Sequence, residues 1–233
     1  MTDTPPLLLI PGLLCDASLW VHQSRFLADV ADVQVVETIK DETLGDIVTR
    51  ALADAPPQFA LAGLSMGGYI AFEFMRRVPE RITRLALLDT SARADDEDTL
   101  QRRRGFIELA EQGKFKGVTP RLLPAFVHPD RLTDTPLVDA VTRMTENVGK
   151  DAFLRQQRAI MARPDSRPNL SEIAVPTVVI CGRQDAATPL ELSIEIADGI
   201  PGARLCIIEE CGHLSTMERP HAVTALMRDW LLG

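Results

Sequence analysis

The chain of 233 residues has a formal charge of −8, with 45% hydrophobic and 25% charged residues. These fractions are ordinary for a globular protein and exclude long disorder and fibrous or collagen-like repeats. The acidic balance argues against a nucleic-acid binder, whose surface carries a basic stripe, and no stretch approaches the roughly 18 apolar residues of a membrane span.

The N-terminal Met1-Thr-Asp-Thr-Pro-Pro lacks the basic region of a secretory leader, so a cytoplasmic protein is expected. Cys15, Cys181, Cys206 and Cys211 show no metal-binding or redox spacing and read as reduced thiols. From residue 7 onward, short apolar runs at 7–11, 33–38, 59–64, 82–89, 177–181 and 203–208 alternate with amphipathic stretches. The runs are nearly continuous in Leu, Ile, Val and Ala, as in parallel strands buried on both faces. The pattern predicts an α/β protein, a six-stranded mostly parallel sheet with helices on both faces. Helices are predicted at about 17–29, 44–55, 66–78, 189–199 and 218–232. Thr43 with Asp46, and Thr188 with Glu191, fit capping boxes, and Pro189 suits a first helical turn. The alternation breaks between residues 93 and 170, where helical periodicity at 95–112 and 137–163 has no strand-like run beside it. The expected division is a core of residues 1–92 and 171–233 with a helical cap inserted at 93–170.

The third run leads straight into a helix through Gly63-Leu64-Ser65-Met66-Gly67, which matches G-x-S-x-G in a strand–turn–helix context. Such a turn strains the serine, and glycines on either side avoid steric collision. It lifts the Ser65 hydroxyl above the carboxyl edge of the sheet, at a helix N-terminus that favours a developing anion. A serine attacks only when a base takes its proton and an acid orients that base. Of His22, His128, His213 and His221, only His213 follows a predicted strand and so sits at the nucleophile's edge. Asp185, on the loop after the fifth run, is the candidate acid. Asp89, at the end of the fourth run, is the alternative. A tetrahedral intermediate needs two N–H donors; Met66, after the serine, supplies one, and Leu13, on the Pro11-Gly12-Leu13 loop after the first run, supplies the other.

Together these residues resemble the α/β-hydrolase family, in particular small carboxylesterases and pimeloyl-carrier-protein methyl ester esterases. The resemblance extends over residues 176–189, 211–220 and 162–170. It implies a nucleophile at Ser65, an acid at Asp185 and a base at His213, in that family's chain order, with an oxyanion hole at Leu13 and Met66. Many members carry His-Gly where this chain has Pro11-Gly12, and the usual N-terminal strand pair is expected to be absent, since only six residues precede Leu7.

The expected activity is hydrolysis of carboxylic esters, thioesters or lactones through an acyl-Ser65 intermediate, requiring neither metal nor organic cofactor. Alternatives are a carbon–carbon bond hydrolase or lyase on the same scaffold, and a non-catalytic receptor that retains the triad. Leu14 of the oxyanion loop and Leu123, Phe126, Met144 and Met161 of the cap are candidate pocket residues for a small-molecule ester, with Leu122 and Phe153 beside them. Arg102-Arg-Arg104 and the row Arg143, Lys150, Arg155, Arg158 and Arg163 concentrate positive charge on the cap. They suggest either a docking face for an acidic acyl-carrier protein or a solvated face with local ion pairs.

Overall fold

The computed structural model describes residues 4–233; Met1–Asp3, at the start of the segment read as lacking a leader, lie outside the described residues. Six strands form one sheet: β1 (Pro6–Ile10), β2 (Asp32–Val35), β3 (Phe59–Leu64), β4 (Ile82–Leu88), β5 (Thr177–Gly182) and β6 (Arg204–Ile208). The order across it is β2-β1-β3-β4-β5-β6, with every pairing parallel. No strand pair precedes β1 among the described residues. The helices are α1 (Val21–Phe26), α2 (Leu44–Asp54), α3 (Met66–Arg77), α4 (Glu97–Leu109), α5 (Thr135–Met161), α6 (Leu190–Gly199), α7 (Ser215–Glu218) and α8 (Pro220–Leu232).

The continuous apolar runs have a simple cause. Successive strand residues point to opposite faces, and along the central strands both faces are covered, while the edge strands β2 and β6 stay partly exposed. Leu7, Leu9, Ala62 and Leu88 pack in one layer with Trp20, Leu27, Val223 and Met227. Leu8, Ile10, Leu61 and Leu87 pack in the other with Ile47, Val48, Ile70, Phe74 and Ile196. Each fully buried Leu, Ile or Phe contributes about 1.5–3 kcal/mol. No helix among the described residues is long and apolar enough to cross a membrane.

After β1 the chain steps outward to β2, then returns to the far side of β1 as β3. At such a switch point the connections leave in opposite directions and open a crevice at the carboxyl edge. The loop after β1 and the turn after β3 therefore meet there.

Of the predicted capping box at Thr43 the N-cap half forms: its hydroxyl oxygen accepts from Asp46 N–H at 3.0 Å, while the Asp46 carboxylate accepts from the Thr43 O–H at 2.6 Å rather than from the Thr43 backbone. The one at Thr188 does not. The Thr188 hydroxyl donates instead to Asp185 Oδ2 at 2.7 Å, and Pro189 is the residue before α6 rather than its first turn. A buried carboxylate is the stronger acceptor. The helix expected at 17–29 divides into a 3₁₀ turn, Ala17–Trp20, and α1. Between β4 and β5 the chain carries only helices and turns, with α5 interrupted at Gly149 (φ 74°). Its Leu137, Val141, Met144 and Phe153 are continuous with the core layer on one face. We propose to treat residues 93–170 as a helical cap seated on the core.

Thr43→Ala removes the α2 cap, and chemical denaturation should register a loss of about 1 kcal/mol. A change within a few tenths of wild type would show that the cap is dispensable.

Candidate active site

Ser65 stands between β3 and α3 at φ 56°, ψ −116°, a conformation that costs a non-glycine residue about 1–3 kcal/mol. Three hydrogen bonds hold it. Ser65 N–H donates to the Leu88 carbonyl at 2.9 Å, while the Ser65 carbonyl accepts from Gly68 N–H at 2.8 Å and from the Thr90 hydroxyl at 2.7 Å. The glycines of the motif are sterically required. A Cβ on Gly63 would lie 2.2 Å from the Gly67 carbonyl oxygen, and one on Gly67 would lie 2.1 Å from that of Ile10. The first collision is across the turn, as the sequence implies; the second is with the end of β1. As the first residue of α3, Met66 has an N–H with no intrahelical acceptor.

The loop after β1 approaches the same point. A Cβ on Gly12 would sit 3.3 Å from both the Leu64 carbonyl and Ser65 Cβ. Leu13 N–H donates to no group among the described residues. Leu14 has φ 58°, and its N–H donates to Gln156 Oε1 at 3.0 Å. The Gln156 amide nitrogen donates in turn to the Thr38 carbonyl and hydroxyl oxygens, each at 3.3 Å. Fully buried Gln156 thus ties α5 to the loop after β1 and to the segment after β2. Nothing in the sequence singles it out, because a glutamine in a long helix carries no local signal.

His213 follows β6 and Asp185 follows β5, and His213 Nδ1 lies 2.8 Å from Asp185 Oδ2, both side chains buried. Asp185 also accepts from Ala187 N–H at 2.8 Å, Thr188 N–H at 2.9 Å and the Thr188 hydroxyl. The histidine loop is anchored by His213 N–H and Leu214 N–H, both donating to the Phe126 carbonyl, and by Glu218, which accepts from Gly212 N–H at 3.0 Å and His128 N–H at 2.8 Å. Burial opposes the His213 imidazolium, but the charge and hydrogen bond of Asp185, with smaller help from Asp89 and Glu218, raise its pKa above the ordinary histidine value. Burial likewise opposes the Asp185 carboxylate; His213 and Thr188 overcome it and hold its pKa below the usual value.

Asp89, the alternative acid, is aimed elsewhere. It accepts from Gly182 N–H at 2.9 Å and from the Ser215 hydroxyl. Complete burial, together with repulsion from Asp185, pushes its carboxyl up to about 8.

A cavity of about 410 Å³ opens over these residues. Ser65, His213, Leu13, Leu14, Phe126, Leu122 and Phe153 line it. Three expected pocket residues are not in its wall. Leu123 and Met144 turn into the core instead, 5% and 1% exposed, and Met161 closes α5 half-buried. Helical spacing marks an apolar face but not whether that face meets a cavity or other side chains. Cys15 also borders the cavity, yet burial and the nearby Asp16 push its thiol up to about 12, far from the thiolate. The other histidines lie away from it. His22 Nδ1 is 2.8 Å from Thr224 Oγ1 and its ring meets His221 edge-on, and His128 Nδ1 accepts from Asp130 N–H.

The basic residues of 93–170 are largely engaged. Arg103 and Arg163 share Asp95, Arg104 pairs with Glu97, Arg158 with Glu42 and Glu111, and Arg155 donates to the Ile39 carbonyl. Among the described residues no group of three or more His, Cys, Asp or Glu is arranged to hold a metal ion.

Comparison with known proteins agrees with the fold. Residues 46–220 match the model of the alpha/beta hydrolase fold family, and the chain belongs to that family. The structure superposes on that of a thermophilic esterase from Thermogutta terrifontis, malate bound, with a TM-score of 0.86, 28% identity, and 97% and 89% of the two chains covered. It is 26% identical to the 3-oxoadipate enol-lactonase 2 of Acinetobacter baylyi, over 97% of this chain and 90% of that one. It is 27% identical to a 2-hydroxy-6-oxo-6-phenylhexa-2,4-dienoate hydrolase of Comamonas testosteroni, over 83% and 71%. These relatives are all hydrolases, of differing substrates.

Asp89 makes stability depend on pH in a defined direction. Its raised folded pKa, about 8, exceeds the unfolded value near 4, so its contribution is complete below about pH 4 and is lost as pH rises to about 8. Asp89→Asn removes that loss. The melting temperature of the variant relative to wild type should climb between about pH 5 and pH 8. A difference that stays flat or narrows would mean that Asp89 is ionised throughout this range.

Proposed function

We propose that the chain is a serine hydrolase of carboxylic esters, extending by the same chemistry to thioesters and lactones. The observation that carries this reading is the strained Ser65, opening on the same cavity as a histidine whose far nitrogen is bound to a buried aspartate. Ser65 is the nucleophile, His213 the base, and Asp185 the group that fixes the imidazole and stabilises its cation. Leu13 N–H and Met66 N–H are the oxyanion donors, in keeping with the lack of other acceptors for them among the described residues.

In the acylation step the Ser65 oxygen bonds to the carbonyl carbon as its proton passes to His213 Nε2, and the carbonyl electron pair moves onto oxygen. Collapse breaks the bond to the alcohol oxygen, which takes the proton from His213. Water, deprotonated by the same nitrogen, then attacks the acyl carbon and releases the acid and Ser65. The protein needs no reorganisation of its donors, because the turn and loop are already fixed by their backbone contacts.

Wild-type protein should hydrolyse p-nitrophenyl esters in the acetate-to-octanoate series, and Ser65→Ala should lower kcat/KM by more than about a thousandfold. Equal, slow hydrolysis by both would overturn the reading in favour of carbon–carbon chemistry or a non-catalytic receptor. Since His213 must be neutral to act as base and its pKa is raised above 6.5, kcat/KM should fall with decreasing pH along a limb centred above 6.5. A limb centred below that value would contradict the assigned pairing with Asp185.

A further inference from the structure

The cavity wall is electrically one-sided in a way the reaction does not require. Three cationic side chains line it, Arg103 of α4 and Lys114 and Lys116 of the turn that follows, and no Asp or Glu does. This occurs in a chain with a net charge of −8. Arg103 is held rigidly: its Nε lies 2.6 Å from Asp95 Oδ2, and its Nη1 donates to Gln157 Oε1 at 2.9 Å. The Asp95 carboxylate is 3% exposed and also serves Arg163 at 2.7 Å, so two guanidiniums share one negative charge. Lys114 donates only to the neutral Gln112 side chain at 3.0 Å, and neither lysine has a carboxylate partner among the described residues. Both lysines are exposed, beside Phe106 and Leu109, which are 44% and 46% exposed. The rest of the wall is chiefly apolar, with Phe115, Val118 and Phe126 contributing.

Resting on the ester-hydrolase reading above, we propose that the substrate is an anionic ester, one whose scissile group sits at Ser65 and whose remote end bears a carboxylate received by Arg103, Lys114 and Lys116. Surplus positive charge at an apolar, partly enclosed cavity, one guanidinium held in place and two exposed lysines, attracts an anion more strongly than the same charges would in open water. The apolar stretch fits a short hydrocarbon spacer, and the volume of about 410 Å³ suits a small molecule. Arg103 Nη2 donates to no group among the described residues, which leaves it for an anionic substrate group.

The test compares kcat/KM for charged and neutral esters of equal size in two arms. In the first the carboxylate is on the acyl side, monomethyl glutarate against its terminal amide. In the second it is on the alcohol side, 4-acetoxybutanoate against 4-acetoxybutanamide. The expected result is a preference of about tenfold or more for the carboxylate in one arm, which also reveals the orientation of the substrate. That ratio should collapse in the Lys114→Glu/Lys116→Glu variant, whose exposed positions leave folding intact by circular dichroism, and should shrink in about 0.5 M sodium chloride. Turnover of the amides without preference for the carboxylates in either arm would overturn this inference alone. No turnover of any of the four esters, or of the p-nitrophenyl esters, would overturn the ester-hydrolase reading and this inference with it.

Discussion

The end of β1 and the turn after β3 touch more closely than any side chain allows. The backbone of Gly67 lies against the Ile10 carbonyl, and Gly63 faces the Gly67 carbonyl, both at distances a Cβ cannot share. This contact sets the left-handed conformation of Ser65, the position of the first turn of α3, and the approach of Gly12 to the serine. It exists because β1 and β3 are parallel neighbours at the point where the strand order reverses. The sheet does not merely support the site; its central contact is the site's geometry.

The remaining groups are brought to that point from far along the chain and fixed by polar contacts suited to burial. Asp185 is surrounded by four hydrogen-bond donors, counting the histidine ring, and Glu218 accepts from one backbone N–H of the His213 loop and one of residues 93–170. Gln156 does the same for the loop after β1. Each of these buried groups has its partners, which is the condition for polar groups in an apolar interior to rigidify rather than weaken it. Residues 93–170 thus contribute to the proposed oxyanion loop and histidine loop as well as to the cavity wall.

What the sequence made legible follows from how local each signal is. The central strands β1, β3, β4 and β5 could be read because burial on both faces leaves a continuous apolar run, whereas the edge strands β2 and β6 are only partly buried. Ser65 stands directly after such a run, and Asp185 and His213 stand on the loops that follow two others, so all three could be placed at the edge where the strands end. Thr188 was misread as a cap because its competitor for the hydroxyl, Asp185, becomes buried only in the folded chain. Met144 was misplaced because an amphipathic helix has one apolar face whether that face meets a cavity or the core, and Leu123, in a short 3₁₀ turn, because an apolar side chain there gives no sign of its direction. Gln156 and Glu218 were missed because their partners are 142 and 90 residues away. Arg103 was legible as charge but not as a cavity residue, since its role depends on sharing Asp95 with Arg163.

The central claim is that this strained serine is an activated nucleophile, and covalent labelling addresses it most directly. Treatment with a fluorophosphonate, followed by intact mass measurement and peptide mapping, should give one adduct per chain, located on Ser65. The adduct should form far more slowly in His213→Ala. A chain that stays unlabelled, or one labelled at another residue while Ser65 is spared, would contradict the account.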